Sequence, residues 1–203
     1  MLTLFHAPWS RSSRLVWLLE ELKADYVIRY CDIPRRDGTG ARDPGNPHPD
    51  GKVPALLHDE ALITESAAVT LYLTDLLPKA RLAPLAGDPD RGAYLTWLAW
   101  NAGELEPAFW NRIMGHTETD PRARAGYDAA IARLMQALES GPWLMGQKFT
   151  AVDVLIGSAL GWGRDYLPQS PLLDDYLLRL EARPANGRAA AKDGVPQQYA
   201  QAS

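Results

Sequence analysis

Three serines stand close together near the start of the chain, in Pro8-Trp9-Ser10-Arg11-Ser12-Ser13-Arg14. They follow a β-rich run, Leu2-Thr3-Leu4-Phe5-His6, and precede leucines at positions 15, 18, 19 and 22. That i, i+3, i+4, i+7 spacing marks one face of a helix beginning near Ser12. Hydroxyls at such a place have two uses. They are favoured N-caps, because the first N–H groups of a helix lack partners. A hydroxyl there can also donate to an anion that the helix dipole favours. Serine-hydrolase chemistry is not indicated. No G-x-S-x-G elbow occurs, and none of His6, His48, His58 and His116 is expected to serve these serines as a base.

A second segment is Gly51-Lys52-Val53-Pro54-Ala55-Leu56. Proline is tolerated as the first residue of a strand. A cis Val53–Pro54 bond is the other reading, and it turns the Val53 N–H and C=O outward to pair with an extended peptide. A third is Thr64-Glu65-Ser66, at the start of a helical stripe formed by Val69, Tyr72, Leu73 and Leu76. There Thr64 or Ser66 caps the helix and Glu65 complements its dipole. Alternatively, the N–H groups bind a ligand carboxylate while Glu65 pairs with an ammonium, which together read an α-amino-acid head group. A fourth, Phe149-Thr150-Ala151-Val152-Asp153-Val154, is structural. It is a capping box with Asp at N3, flanked by the two hydrophobic-staple positions.

Of seven tryptophans, Trp9 and Trp110 are placed near a pocket and the others in the core or an interface. His58-Asp59-Glu60 falls in a hairpin turn and reads as solvated, so no metal is expected. A single cysteine, Cys31, forms neither an internal disulfide nor a thiolate metal cage, and it fits a reducing compartment.

These side chains need a scaffold. The chain has 203 residues, 46% apolar and 23% charged, which excludes a disordered, collagen-like or disulfide-stapled protein. The net charge of −4 offers no basic excess for phosphates, so no nucleic-acid partner is expected. No stretch approaches the ~18 apolar residues of a membrane helix. The N-terminus reads as a strand rather than a signal peptide, and a cytoplasmic location is expected. Further strands are predicted at Tyr26–Cys31, Val53–His58 and Ala61–Ile63, and a helix at Glu65–Leu77. Residues 34–51 read as a loop with a short helical turn. The β-α-β-β-β-α order implies a parallel crossover followed by a hairpin. After a linker at 79–88 no strand pattern returns. A long helix over Arg91–Met114 is predicted to kink at Pro107. Helices follow around Tyr127–Leu138, from Thr150 and over Pro171–Arg183, and the tail after Pro184 is expected to be loosely held. The domains expected are 1–78 and 89–203.

In this order the motifs resemble the cytosolic glutathione transferases, of the bacterial serine type. The resemblance rests on His48-Pro49-Asp50-Gly51-Lys52-Val53-Pro54-Ala55-Leu56, on Thr64-Glu65-Ser66-Ala67-Ala68-Val69-Thr70-Leu71-Tyr72-Leu73, and on Gly141-Pro142-Trp143-Leu144-Met145-Gly146 before the capping box. It implies an α/β thioredoxin-like N-terminal domain with a cis-proline at Pro54, then an all-helical domain. It also implies glutathione as co-substrate. Val53 pairs with the cysteinyl backbone, Glu65 and Ser66 hold the γ-glutamyl group, and Lys52 lies near a carboxylate. Ser10 maps to the hydroxyl that donates to the thiolate, with Ser12 as its competitor.

The implied reaction is attack of that thiolate on a small hydrophobic electrophile. The acceptor pocket includes Trp9 and the helix carrying Phe109, Trp110 and Met114, with Arg112 as an anion partner. A glutathione-dependent isomerase, dehalogenase or ether-cleaving enzyme, and a non-catalytic binding protein, are the alternatives. A homodimer is implied, with no metal. His48 departs from the asparagine often found before that proline. No cysteine stands where the thiol-disulfide classes have one, which argues for thiol addition or substitution.

Overall fold

The computed structural model describes residues 1–194. Strands β1 (Leu2–His6), β2 (Tyr26–Tyr30), β3 (Ala55–His58) and β4 (Ala61–Thr64) form a sheet in the order β2-β1-β3-β4. The central strands are the more buried ones, with four of five residues buried in β1 and Ala55 and Leu56 buried in β3, while β4 has none. The edge strand β2 alternates half-buried and exposed residues. Leu4 pairs with Ile28 in parallel and with Leu56 antiparallel. The parallel pairing requires a crossover, which α1 (Ser13–Leu22) supplies. Its leucine stripe is buried, and it ends on Lys23 in the left-handed region at φ 52. Asp59, at φ 53, turns β3 into β4, a conformation that short polar side chains tolerate. Helix α2 (Ser66–Leu76) stops before Pro78, whose ring disfavours helical backbone in the preceding residue.

No helical turn forms between β2 and β3, contrary to expectation. Asp37 accepts from Thr39 N–H at 3.0 Å and Asp43 from Gly45 N–H at 2.7 Å. These side-chain turns satisfy the backbone locally and compete with helix.

Residues Arg81–Ala182 form a separate compact unit, all helical. The expected long helix is α3 (Arg91–Trp100) and α4 (Glu106–Ile113), separated by a π turn over Asn101–Leu105. Pro107 lacks the N–H that would continue the ladder, so the break falls just before it. After α5 (His116–Thr119) and α6 (Pro121–Glu139) comes α7 (Ala151–Trp162), with nine of its twelve residues buried. It begins at the expected capping box, where Asp153 accepts from Thr150 N–H at 2.8 Å. The same carboxylate accepts from Leu144 N–H at 2.9 Å and from the Tyr176 hydroxyl of α8 (Pro171–Glu181) at 3.2 Å.

Residues 183–194 belong with Met1–Ala80. The tail expected to be loose is helical as α9 (Pro184–Lys192), packed on α1. The rest of that tail, 195–203, lies outside the described residues. Ala185 and Ala189 are buried in the contact, and charge pairs flank them. Arg183 grips Glu21 with two bonds of 2.5 and 2.8 Å. Arg188 and Lys192 hold the two oxygens of Glu20 at 2.9 and 2.5 Å. Burial raises the pKa of Glu20, but bonds from Lys192, Tyr26 and Arg188 prevail and bring it down to about 2.

Candidate functional site

The sheet register gathers the expected site segments. Phe5 pairs with Ala55, and Ala55 with Thr64. The loop after β1, the residues before β3 and the residues after β4 therefore leave the sheet at one end. Phe5, Ala7, Val53 and Ala55 also share one buried apolar cluster.

The first segment carries the serines. Ser10 is half-buried, while Ser12 has 0% exposure. No side-chain cap bond forms at the start of α1. Ser12 Oγ is instead 2.8 Å from His6 Nδ1, accepts from Ala7 N–H at 3.2 Å and lies 2.8 Å from Ser10 Oγ. The Ser10 hydroxyl donates to Ala7 O at 2.7 Å, and Ser12 N–H donates to Ser10 Oγ at 3.2 Å. Trp9, 78% exposed and at φ 53, makes the bend that aims this loop. Arg35 steadies it from the β2–β3 loop by donating twice to Pro8 O.

His6 was not expected among these groups, yet it is the histidine that serves them. Lying at the end of β1, it returns to meet the first turn of α1. On its far side, Nε2 faces Asp193 Oδ1 at 3.3 Å, ion-pair distance without hydrogen-bond alignment, and among the described residues neither atom has another hydrogen-bond partner. Burial raises the pKa of Asp193, but contacts from His6, the Ser13 hydroxyl and Trp9 N–H outweigh it and hold the carboxyl below its ordinary range.

The second segment carries the Val53–Pro54 bond, which is cis. No hydrogen bond among the described residues uses Val53 N–H or C=O. A tight network braces this turn. Asn46 Nδ2 donates to Lys52 O at 2.9 Å, His48 N–H to Asn46 Oδ1 at 3.1 Å, and Asp50 N–H to His48 Nδ1 at 3.0 Å. Buried His48 and Asn46 thus share the positioning of Lys52 and Val53, a role that the spacing of single residues does not reveal. Lys52 itself is exposed and pairs with Asp50 at 3.2 Å.

The third segment carries Glu65, exposed and held at φ 67, ψ 124 immediately before α2. This backbone is costly for a residue with a Cβ and is found where surroundings impose it. No side chain caps α2, so neither Thr64 nor Ser66 takes the capping role. Ser66 is half-buried at the head of the helix.

The remaining candidates lie elsewhere. Trp110 is on α4 in the helical unit, 39% exposed. Arg112, also on α4, faces Glu118 at 3.5 Å. A pocket of about 450 Å³ lined by Asn111, His116, Asp120 and Arg122 belongs to that unit and contains no expected site residue. Cys31 follows β2, is buried, and burial pushes its thiol up to about 11, so it is no nucleophile at neutral pH. Among the described residues no group of three or more His, Cys, Asp or Glu is placed to hold a metal. Nor is any described helix long and apolar enough to cross a membrane.

Residues 8–76 match the family described as glutathione S-transferase, N-terminal domain. The chain is 30% identical over 162 residues to glutathione S-transferase GstA of Escherichia coli O157:H7, covering 78% of this chain and 81% of that one. It is 29% identical over 209 residues to the disulfide-bond oxidoreductase YfcG of Escherichia coli K12, covering 95% of each. Among solved structures, a sphingomonad glutathione S-transferase complexed with glutathione superposes with a TM-score of 0.79 at 27% identity, over 96% of this chain and all of that one. A thioredoxin-like sheet followed by helices, the cis-proline turn and these relatives lead to one conclusion: the chain belongs to the glutathione S-transferase family.

Proposed function

We propose that the first unit binds glutathione and that the protein joins its sulfur to a small hydrophobic electrophile, with Ser10 donating a hydrogen bond to the thiolate. The observation that carries this reading is the register Phe5–Ala55–Thr64, which puts the Ser10 loop, the Val53–Pro54 turn and Glu65–Ser66 at one sheet end. In this reading the Val53 N–H and C=O pair with the cysteinyl backbone as an added strand does. Glu65 takes the γ-glutamyl ammonium. Ser66 and the uncapped N–H groups of α2 take its carboxylate, where the helix dipole favours negative charge. Lys52 takes the remaining carboxylate end. The cis Pro54 closes the turn that presents Val53.

The chemistry follows from the sulfur. A thiol near pKa ~8.5 is mostly protonated at neutral pH, and the thiolate is the nucleophile. One hydroxyl donor at a helix start lowers that pKa by about one to two units, roughly 1.4–3 kcal/mol. Binding then supplies orientation against the electrophile. Trp9, beside the Ser10 loop, is proposed as an apolar contact for the acceptor. Assembly as a homodimer belongs to the same proposal, and light scattering checks it.

The test is conjugation of an aryl halide by the Ser10→Ala variant. The proposal expects kcat/KM to fall about 10- to 100-fold, matching one to two pKa units, while glutathione affinity stays within about twofold. Full activity in Ser10→Ala contradicts it. A second reading, favoured by the similarity to YfcG, has the same thiolate attack a disulfide, releasing one thiolate and forming a mixed disulfide with glutathione. Product analysis separates the two: a thioether in one case, a disulfide in the other.

A further inference from the structure

The buried polar chain behind Ser10 has no part in the contacts assigned to glutathione. His6 has 0% exposure, and its two ring nitrogens face Ser12 Oγ at 2.8 Å and Asp193 Oδ1 at 3.3 Å. Ser12 Oγ in turn lies 2.8 Å from Ser10 Oγ. A carboxylate beside Nε2 favours the tautomer with its proton there, which leaves the Nδ1 lone pair for the Ser12 hydroxyl. Ser12 then donates to His6, and its oxygen is left as an acceptor toward Ser10.

We propose that Ser10, Ser12 and His6 form the route by which the thiol proton of bound glutathione is withdrawn, with His6 as its final acceptor and Asp193 as the counter-charge. This rests on the glutathione reading above. The S–H proton passes to Ser10 Oγ, the Ser10 proton to Ser12 Oγ, and the Ser12 proton to His6 Nδ1. One S–H and two O–H bonds break, while two O–H bonds and one N–H bond form. A neutral thiol and a neutral imidazole become a thiolate and an imidazolium. Every donor then points toward the sulfur: His6 Nδ1–H to Ser12, Ser12 O–H to Ser10, Ser10 O–H to the thiolate. For the transfer the Ser10 hydroxyl first turns from Ala7 O to Ser12 Oγ, 2.8 Å away, and afterwards its newly received proton points to the sulfur.

The ionisable groups facing the ring come from several elements. Asp193 follows α9. From β2, Tyr30 stands edge-on with its ring centroid 5.6 Å away. Cys31, next in the chain, has Sγ 3.7 Å from His6 O, and its raised pKa keeps it neutral. Asp193, whose pKa is lowered, supplies the negative charge opposite an imidazolium. His6 and Asp193 are positioning residues, since they act on the sulfur through the serines.

Calorimetry of glutathione binding to the full chain near pH 7, in buffers of different ionisation enthalpy, tests this without any variant. The ultraviolet absorbance of the thiolate is read on the same samples. The relay predicts thiolate formation with little proton release, because the proton stays on His6. Release of a full proton per thiolate, or a bound thiol that stays protonated, overturns the relay and leaves glutathione binding standing. Absence of any binding overturns the glutathione reading and the relay together. In Asp193→Asn and His6→Gln, the titration midpoint of the bound thiol is expected to rise by about one unit, a tenfold loss of thiolate below it, with glutathione affinity kept. An unmoved midpoint with intact affinity contradicts the relay.

Discussion

Ser10 Oγ and Ser12 Oγ lie 2.8 Å apart, yet only Ser10 retains exposure. Ser12 is enclosed by His6, Ala7 and Ser10, and its oxygen is engaged by all three. One hydroxyl is thereby set to meet a ligand and the other to hold the loop that presents it.

Ser12→Ala is expected to destabilise the fold more than Ser10→Ala. Removing the Ser12 hydroxyl leaves the buried Nδ1 of His6 and Ala7 N–H without this partner, at about 1–3 kcal/mol. Ser10→Ala loses bonds in a half-buried place, at about 0.5–1.5 kcal/mol. Urea midpoints of the two variants give the order, and equal midpoints contradict it.

Glu65→Gln removes the charge that faces the γ-glutamyl ammonium. A hydrogen bond to a charged group is worth about 1.5–3 kcal/mol, so KM for glutathione is expected to rise about 10- to 100-fold with kcat held. Lys52→Ala is expected to have a smaller effect that shrinks with salt, because Lys52 is exposed. Steady-state kinetics at two ionic strengths checks both.

Stability is expected to peak in mild acid. The Glu20 pKa falls from 4.5 to about 2 on folding, so its contribution is present above 4.5 and lost as pH drops toward 2. Asp153 runs the other way. Burial, outweighing four hydrogen bonds, raises it from 3.8 to about 6, so its contribution is full below 3.8 and lost as pH rises through 6. Urea midpoints are expected to rise from pH 7 toward 5 and to fall below about 4.5. Glu20→Gln is expected to flatten the acid limb, and an unchanged limb in that variant contradicts the α1–α9 clamp as its source.

Two glycines are expected to respond oppositely to alanine. A Cβ at Gly141 would stand 2.6 Å from Gly146 O, a backbone atom that cannot move aside cheaply. Gly141→Ala is therefore destabilising. At Gly126, inside α6, a Cβ meets nothing within 4 Å, and alanine gains about 0.5–1 kcal/mol from helix propensity. Thermal midpoints of the pair check the signs.

Much of the first unit was legible because its signals are local. Leucine spacing marks α1, apolar runs mark β1 and β3, and Pro78 marks the end of α2. The capping box at Thr150 and Asp153 was read from residues three apart. The parts that escaped depend on partners distant in sequence. Helix α9 is alanine-rich and short, and its anchors are Glu20 and Glu21 on α1. The place of His6 is set by Ser12, in the loop after β1, and by Asp193, from the far end of the chain. The Asn46–His48 brace is likewise a set of contacts with backbone atoms, for which side-chain type gives no cue.

A crystal structure of the protein with glutathione tests the central claim most directly. The account predicts the cysteinyl backbone paired with Val53, the γ-glutamyl group at Glu65 and Ser66, and the sulfur within about 3.5 Å of Ser10 Oγ. A tripeptide bound away from Val53, or a sulfur that meets another side chain while Ser10 stays on Ala7 O, would contradict it.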